Sequence, residues 1–187
     1  TAHPHPHVTS APMRSGTDVT RRRESGGCPA AHRVKHCTLV MGNVWAAEKM
    51  LGIPVLGLAQ AGNTQADYTA QATRSAAALM AAFPKVKAVA NTFRFDQPGG
   101  GIVYYATLDT ATTAHLSRTH TAAAIVDKVG SGDCFMAGLL YGHTQGHDWQ
   151  QTLEFAAAAA FNKLFIESDA TTSSVDTIHQ TLLSHEQ

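Results

Sequence analysis

Apolar and polar positions organise the chain from about Cys37 onward. Thr38–Met41 is a short apolar run that predicts a strand, and Gly42-Asn43 turns it into a helix over Val44–Leu51, ended by Gly52 and Pro54. Gln65–Phe83 is Ala-rich with helical spacing and stops at Pro84. Val86–Ala90 predicts a strand. Pro98–Gly101 reads as a turn leading into a strand over Ile102–Leu108, so that the two strands form a hairpin-like pair. Ala122–Val126 predicts a further strand, and Gly130–Asp133 opens a helix running to about His143. Helices over Trp149–Phe165 and Val175–Ser184 complete the chain. Strands alternating with helices predict a layered α/β fold.

Residues 1–36 break this pattern. They are rich in Pro, Ser, Thr, Gly and His, carry six basic and two acidic side chains, and read as a leader without regular structure. The remaining residues carry eight basic and twelve acidic groups, so the formal charge of the 187-residue chain is zero. That neutrality argues against nucleic acid or an acidic membrane as partner. Arg21–Arg23 lacks interleaved aromatics and reads as a solvated run. No apolar stretch reaches the roughly 20 residues of a membrane span. Cys28, Cys37 and Cys134 form neither a disulfide framework nor a CxxC metal site, which points to a reducing, cytoplasmic setting.

The sharpest local signal is Asp127-Lys-Val-Gly-Ser-Gly-Asp-Cys-Phe-Met-Ala-Gly138. Two glycines flank Ser131 where the chain enters a helix. The amides of Gly130, Ser131, Gly132 and Asp133 are then first-turn donors without intrahelical acceptors, a ready cradle for phosphate. A carboxylate at Asp133 could take the proton from a hydroxyl that attacks a phosphoryl group, with the adjacent amides receiving the developing charge. The competing reading of a bare glycine motif is a plain turn with Asp133 as a helix cap.

The segment resembles the signature of the PfkB/ribokinase family of sugar kinases, D-T-x-G-A-G-D-x-F-x-x-G, at Asp127, Val129, Gly130, Gly132, Asp133, Phe135 and Gly138; Lys128 replaces the usual Thr and Ser131 the usual Ala. The Ala-rich run Leu153–Phe161 is similar to that family's helix beside the adenine pocket. Leu39–Leu51, Ala88–Arg94 and Ser168–Thr172 look like its 2-dehydro-3-deoxygluconokinase branch. The resemblance covers residues 37–187.

It implies a ribokinase-like fold represented by its C-terminal, nucleotide-binding half, without the N-terminal half that carries most sugar contacts and the lid. It implies ATP and Mg²⁺ as cofactors and a sugar acid such as 2-dehydro-3-deoxygluconate as substrate, with a non-catalytic nucleotide-binding remnant, or a fructokinase or ribokinase relative, as the alternatives. Asp133 would be the base, and Gly130, Ser131 and Gly132 the anion hole. Asn43, Thr92, Arg94, Ala158 and Asn162 would lie about the nucleotide. Asn43 begins the family's N-x-x-E motif, but the Glu position is Ala46, with Glu48 two residues further on. An exposed strand at Thr38–Met41 would favour self-association, so a homo-oligomer is possible.

The remaining candidates have plain readings. His3, His5 and His7 belong to the leader, although such a tract can hold metal. His143 and His147 have the spacing of zinc ligands but fall at a helix end. Cys134 could have a lowered thiol pKa at a helix start, but reads as a small packing residue. Trp45, Phe135 and Phe161 read as core or pocket wall. Lys163 and Glu167, four apart, read as a surface pair.

Overall fold

The computed structural model describes residues 29–58 and 62–183. The histidine tract, Arg21–Arg23 and Cys28 lie outside the described residues. Six helices and five strands are found there: α1 (Pro29–Val34), β1 (Leu39–Gly42), α2 (Val44–Leu51), α3 (Gln65–Ala82), β2 (Ala88–Asp96), β3 (Ile102–Thr110), β4 (Ala114–Leu116), β5 (His120–Ala122), α4 (Ser131–Thr144), α5 (Trp149–Lys163) and α6 (Val175–Leu183).

Local chemistry sets the helix boundaries. Asn43 caps α2 by accepting from the Ala46 amide at 2.8 Å, and Gly52 closes it at φ 71°. Thr64 and Asp67 form a capping box at the start of α3, and Asp148 and Gln151 form another at α5.

The sheet runs β1-β2-β3, with β1 parallel to β2 and β3 antiparallel to it. β4 and β5 lie end to end along β3, one against Thr107–Asp109 and the other against Ile102–Tyr104. Between them Ser117 takes over the ladder. Its amide donates to the Ala106 carbonyl, and its Oγ accepts from the Ala106 amide, both at 2.9 Å.

Alternation along β2 and β3 divides the core. Ala88, Ala90, Ile102, Tyr104, Ala106 and Leu108 face α4 and α5, packing on Phe135, Leu139, Leu153 and Ala160. Val89 faces α3 through Ala76 and Leu79, while Phe93 and Tyr105 form an aromatic layer with Tyr68 and Phe95. The result is a three-layer α/β/α arrangement.

α4 and α5 are held close by small residues. A Cβ on Gly138 would lie 2.6 Å from the Ala156 Cα, and one on Gly142 would lie 2.8 Å from Thr152 Oγ1. Gly138→Val is therefore expected to destabilise the chain by about 3 kcal/mol, since the obstructing atom is backbone and cannot swing aside. Urea unfolding reads this directly, and a midpoint equal to wild type would disprove the close packing.

Several expectations are corrected. β2 does not stop at Ala90 but runs to Asp96, so Thr92 and Arg94 stand on a strand. The strand expected at Ala122–Val126 ends at Ala122; the amides of Val126 and Asp127 instead donate to the Leu164 carbonyl at the end of α5. Pro29–Val34 is helical inside the segment read as unstructured. Trp45 is 38% exposed, tilted against Tyr68, whereas Phe135 and Phe161 are buried. No helix among the described residues is long and apolar enough to cross a membrane.

Candidate active site

The chain enters α4 through Gly130, which has φ 77° and acts as N-cap without any side-chain cap bond. The contrast with α2, α3 and α5, each capped by a side chain, leaves the first-turn amides of α4 open. Gly130 also passes under the segment after α5. A Cβ at this position would meet the Asp169 carbonyl oxygen at 1.8 Å, so Ser168–Thr172 and the glycine turn, forty residues apart, form one feature. Gly132 faces more open space, its nearest neighbour being the Met41 methyl at 3.6 Å from an added Cβ.

Ser131 is buried and joins three elements. Its Oγ donates to the Lys128 carbonyl at 3.0 Å and accepts from Arg94 Nη1 at 3.2 Å. The exposed Arg94 guanidinium on β2 is thereby held beside the α4 N-terminus, with donors left over for an anion. Lys128 bonds both Asp96 oxygens at 2.6 and 2.7 Å. That ammonium holds the Asp96 carboxyl below its usual range. The pair is solvent-exposed and contributes little to stability.

Asp133 lies in the first turn of α4, exposed, and its carboxylate bonds no side chain or amide among the described residues. Next to it Cys134 is buried, and burial pushes its thiol pKa up, so it is a packing residue and not an activated thiol.

The other candidates divide into two groups. Thr92 lies near the site, its hydroxyl 3.5 Å from the Gly42 carbonyl at the end of β1. Asn43 follows directly, but its Oδ1 is engaged by the Ala46 amide. Ala158 and Asn162 face α6 instead. Ala158 is fully buried with Phe155, Ala159 and Ile178, and Asn162 exchanges hydrogen bonds with Thr181.

A magnesium ion held by the protein does not fit these residues. Position 46, an alanine, offers no side-chain oxygen, Asn43 Oδ1 already serves as a cap, and Glu48 accepts from the Val55 amide at 3.2 Å further along α2. Among the described residues no three His, Cys, Asp or Glu side chains converge. His143 stacks on Trp149 with rings 5.6 Å apart, and His147 meets Tyr141 edge-on.

Lys163 was misread. It is fully buried rather than on the surface, and Glu167 lies beyond the end of α5. Its Nζ donates to the Ile166 carbonyl at 2.8 Å and stands 4.0 Å from Asp127 Oδ2. The available signal was its spacing: it follows Ala156 by seven and Ala160 by three, on the apolar stripe of the helix.

Comparison with known proteins identifies the family and the fold. The sequence model described as pfkB family carbohydrate kinase matches residues 24–178. No curated protein matches the chain. A 2-dehydro-3-deoxygluconokinase from Thermotoga maritima superposes with a TM-score of 0.71 at 28% identity, covering 83% of this chain and 44% of that one. A putative 2-keto-3-deoxygluconate kinase from Enterococcus faecalis superposes at 0.66 and 20% identity, over 82% and 42%. A putative ribokinase II from E. coli, in complex with ATP and Mg²⁺, superposes at 0.55 and 17% identity, over 83% and 42%. The fold is thus the ribokinase-like one, and the chain spans less than half the length of these structures.

Proposed function

From the premise that this chain belongs to the pfkB family of carbohydrate kinases, we propose that it binds ATP at the open N-terminus of α4 and serves transfer of the γ-phosphoryl group to a hydroxyl of a sugar acid, 2-dehydro-3-deoxygluconate first among them. The observation that supports this reading is the convergence of uncapped first-turn amides, an exposed carboxylate and a guanidinium at one point. The amides of Ser131, Gly132 and Asp133, with Arg94 beside them, receive phosphate oxygens and the charge that develops on them. Asp133 accepts the hydroxyl proton as that oxygen attacks phosphorus and the bond to the β-phosphate oxygen breaks. Likeness to the Thermotoga enzyme supports the choice of sugar acid. A kinase of this kind belongs in the cytoplasm, where ATP is available.

A second reading has its own support. With Ala46 in place of an acidic residue and Asn43 engaged as a cap, the chain would bind nucleotide without turning it over.

Calorimetric titration with MgATP tests the shared step, with Gly132→Val as control. A Cβ at this position would meet no backbone atom and only the Met41 methyl, at 3.6 Å, so the variant is expected to fold while its side chain fills the phosphate approach, and a melting curve on the same preparation checks that it does. Saturable binding in wild type and its loss in Gly132→Val is the expected result; no binding in a folded wild-type chain overturns both readings. Release of ADP that depends on 2-dehydro-3-deoxygluconate then selects the kinase, and binding without such release selects the module.

A further inference from the structure

We propose that Lys163 is the positioning residue of the phosphate cradle, a tethered internal cation that sets the path of the backbone into α4. This rests on the kinase reading for its purpose but not for its geometry.

The loop Val126–Val129 delivers Gly130 to the start of α4. Backbone bonds pin its first part, since the amides of Val126 and Asp127 share the Leu164 carbonyl at 2.8 and 3.2 Å. A side chain pins its second part. Asp127 Oδ1 accepts from the Val129 amide at 3.0 Å, and this carboxylate is oriented from behind by the Lys163 ammonium, 4.0 Å from Oδ2. The ammonium is anchored on the Ile166 carbonyl. A buried charge reaches the cradle through two links: Lys163 to Asp127, and Asp127 to the amide immediately before Gly130.

Stability alone does not account for a lysine here. Its side chain is wholly enclosed, on a helix face otherwise made of Ala, Leu and Phe. Desolvating an ammonium is costly, and an apolar side chain of similar volume commonly serves a fold as well or better. What an apolar side chain cannot do is hold the Asp127 carboxylate in one orientation. Lys163 bonds the Ile166 carbonyl and faces Asp127, so its contacts reach the cradle through Asp127 and the loop, whereas its field also acts on Cys134 in the first turn of α4; hydrogen exchange without nucleotide reads the first of these effects and not the second.

The test compares wild type with Lys163→Met and Asp127→Asn in the full chain. Melting temperature, MgATP affinity by calorimetry, and hydrogen exchange of the segment 127–134 without nucleotide are measured. Lys163→Met is expected to melt within a few degrees of wild type. Its MgATP affinity should fall about tenfold, within the range of coupling inside one salt-bridge network, and exchange across 127–134 should rise. Asp127→Asn should do the same, and the double variant should be no worse than either single one, because both act through one loop. Wild-type exchange in a folded Lys163→Met overturns the proposal whether or not nucleotide binds, and so does wild-type affinity in a chain that binds MgATP. If Lys163→Met does not fold, Asp127→Asn decides by the same two readouts. Raised exchange in a chain whose wild type binds no MgATP leaves the positioning role standing and removes the kinase reading instead.

Discussion

Asp133→Asn is expected to lower sugar-dependent ADP release by about 10²–10⁴-fold, the range that a positioned general base supplies, while MgATP affinity stays within a few-fold of wild type. The substitution keeps the shape of the side chain and removes its capacity to accept a proton. The cradle should be undisturbed, because it consists of the amides of α4 and the Ser131–Arg94 bond, in which the Asp133 carboxylate takes no part. Stability should change little. Asp133 is exposed, and losing a negative charge from a first helical turn costs only about 0.3–1 kcal/mol. Coupled-enzyme measurement of ADP, beside calorimetric titration and a melting curve on the same preparations, separates these effects. A variant that keeps most of its turnover removes Asp133 from the role of base. One that loses binding in parallel with turnover would place the carboxylate in the nucleotide site instead.

How much of this was legible in the sequence follows from the range over which each feature is determined. The helix starts at Asn43, Thr64 and Asp148 depend on residues three apart, and α2 was bounded correctly from Asn43 and Gly52. The glycine turn and Asp133 were legible because the motif is contiguous. The second half of β2 was not, because Asn91, Thr92 and Arg94 interrupt the apolar run; what keeps them in the sheet is the nine-residue ladder with β3, whose partners begin at Ile102. β4 and β5 escaped because each is three residues long, and the apolar run after them is diverted to the carbonyl of Leu164. Lys163 was misjudged for a related reason. Four-residue spacing to Glu167 describes a helix surface, but α5 ends at Lys163, and what surrounds its ammonium, Asp127 and Ile166, is brought there by the return of the chain. The same holds for Gly130. That a glycine is useful in a turn was evident, whereas the crossing of Asp169 above it was not.

That crossing gives the second large effect. Gly130→Ala is expected to destabilise the chain by about 3 kcal/mol and to abolish MgATP binding in the fraction that remains folded. A residue with a Cβ pays roughly 1–2 kcal/mol for the left-handed conformation required at φ 77°. Here that Cβ would also stand 1.8 Å from the Asp169 carbonyl oxygen, an atom of backbone. Relief therefore requires displacement of Ser168–Thr172 or of the turn itself, and either movement shifts the amides of Ser131 and Gly132. Gly132→Val, two residues on, provides the contrast, since a Cβ there would meet only a methionine methyl, at 3.6 Å, and the position lies within the helix. Urea unfolding and MgATP titration of the pair should separate the functions of the two glycines: Gly130→Ala loses stability and binding together, and Gly132→Val loses binding alone. Wild-type unfolding by Gly130→Ala would mean that the segment after α5 does not rest on the turn, and the cradle would lose the support that holds its amides in place. Equal destabilisation by both variants would instead place Gly132 in packing, leaving no evidence that the space above it is kept clear for phosphate.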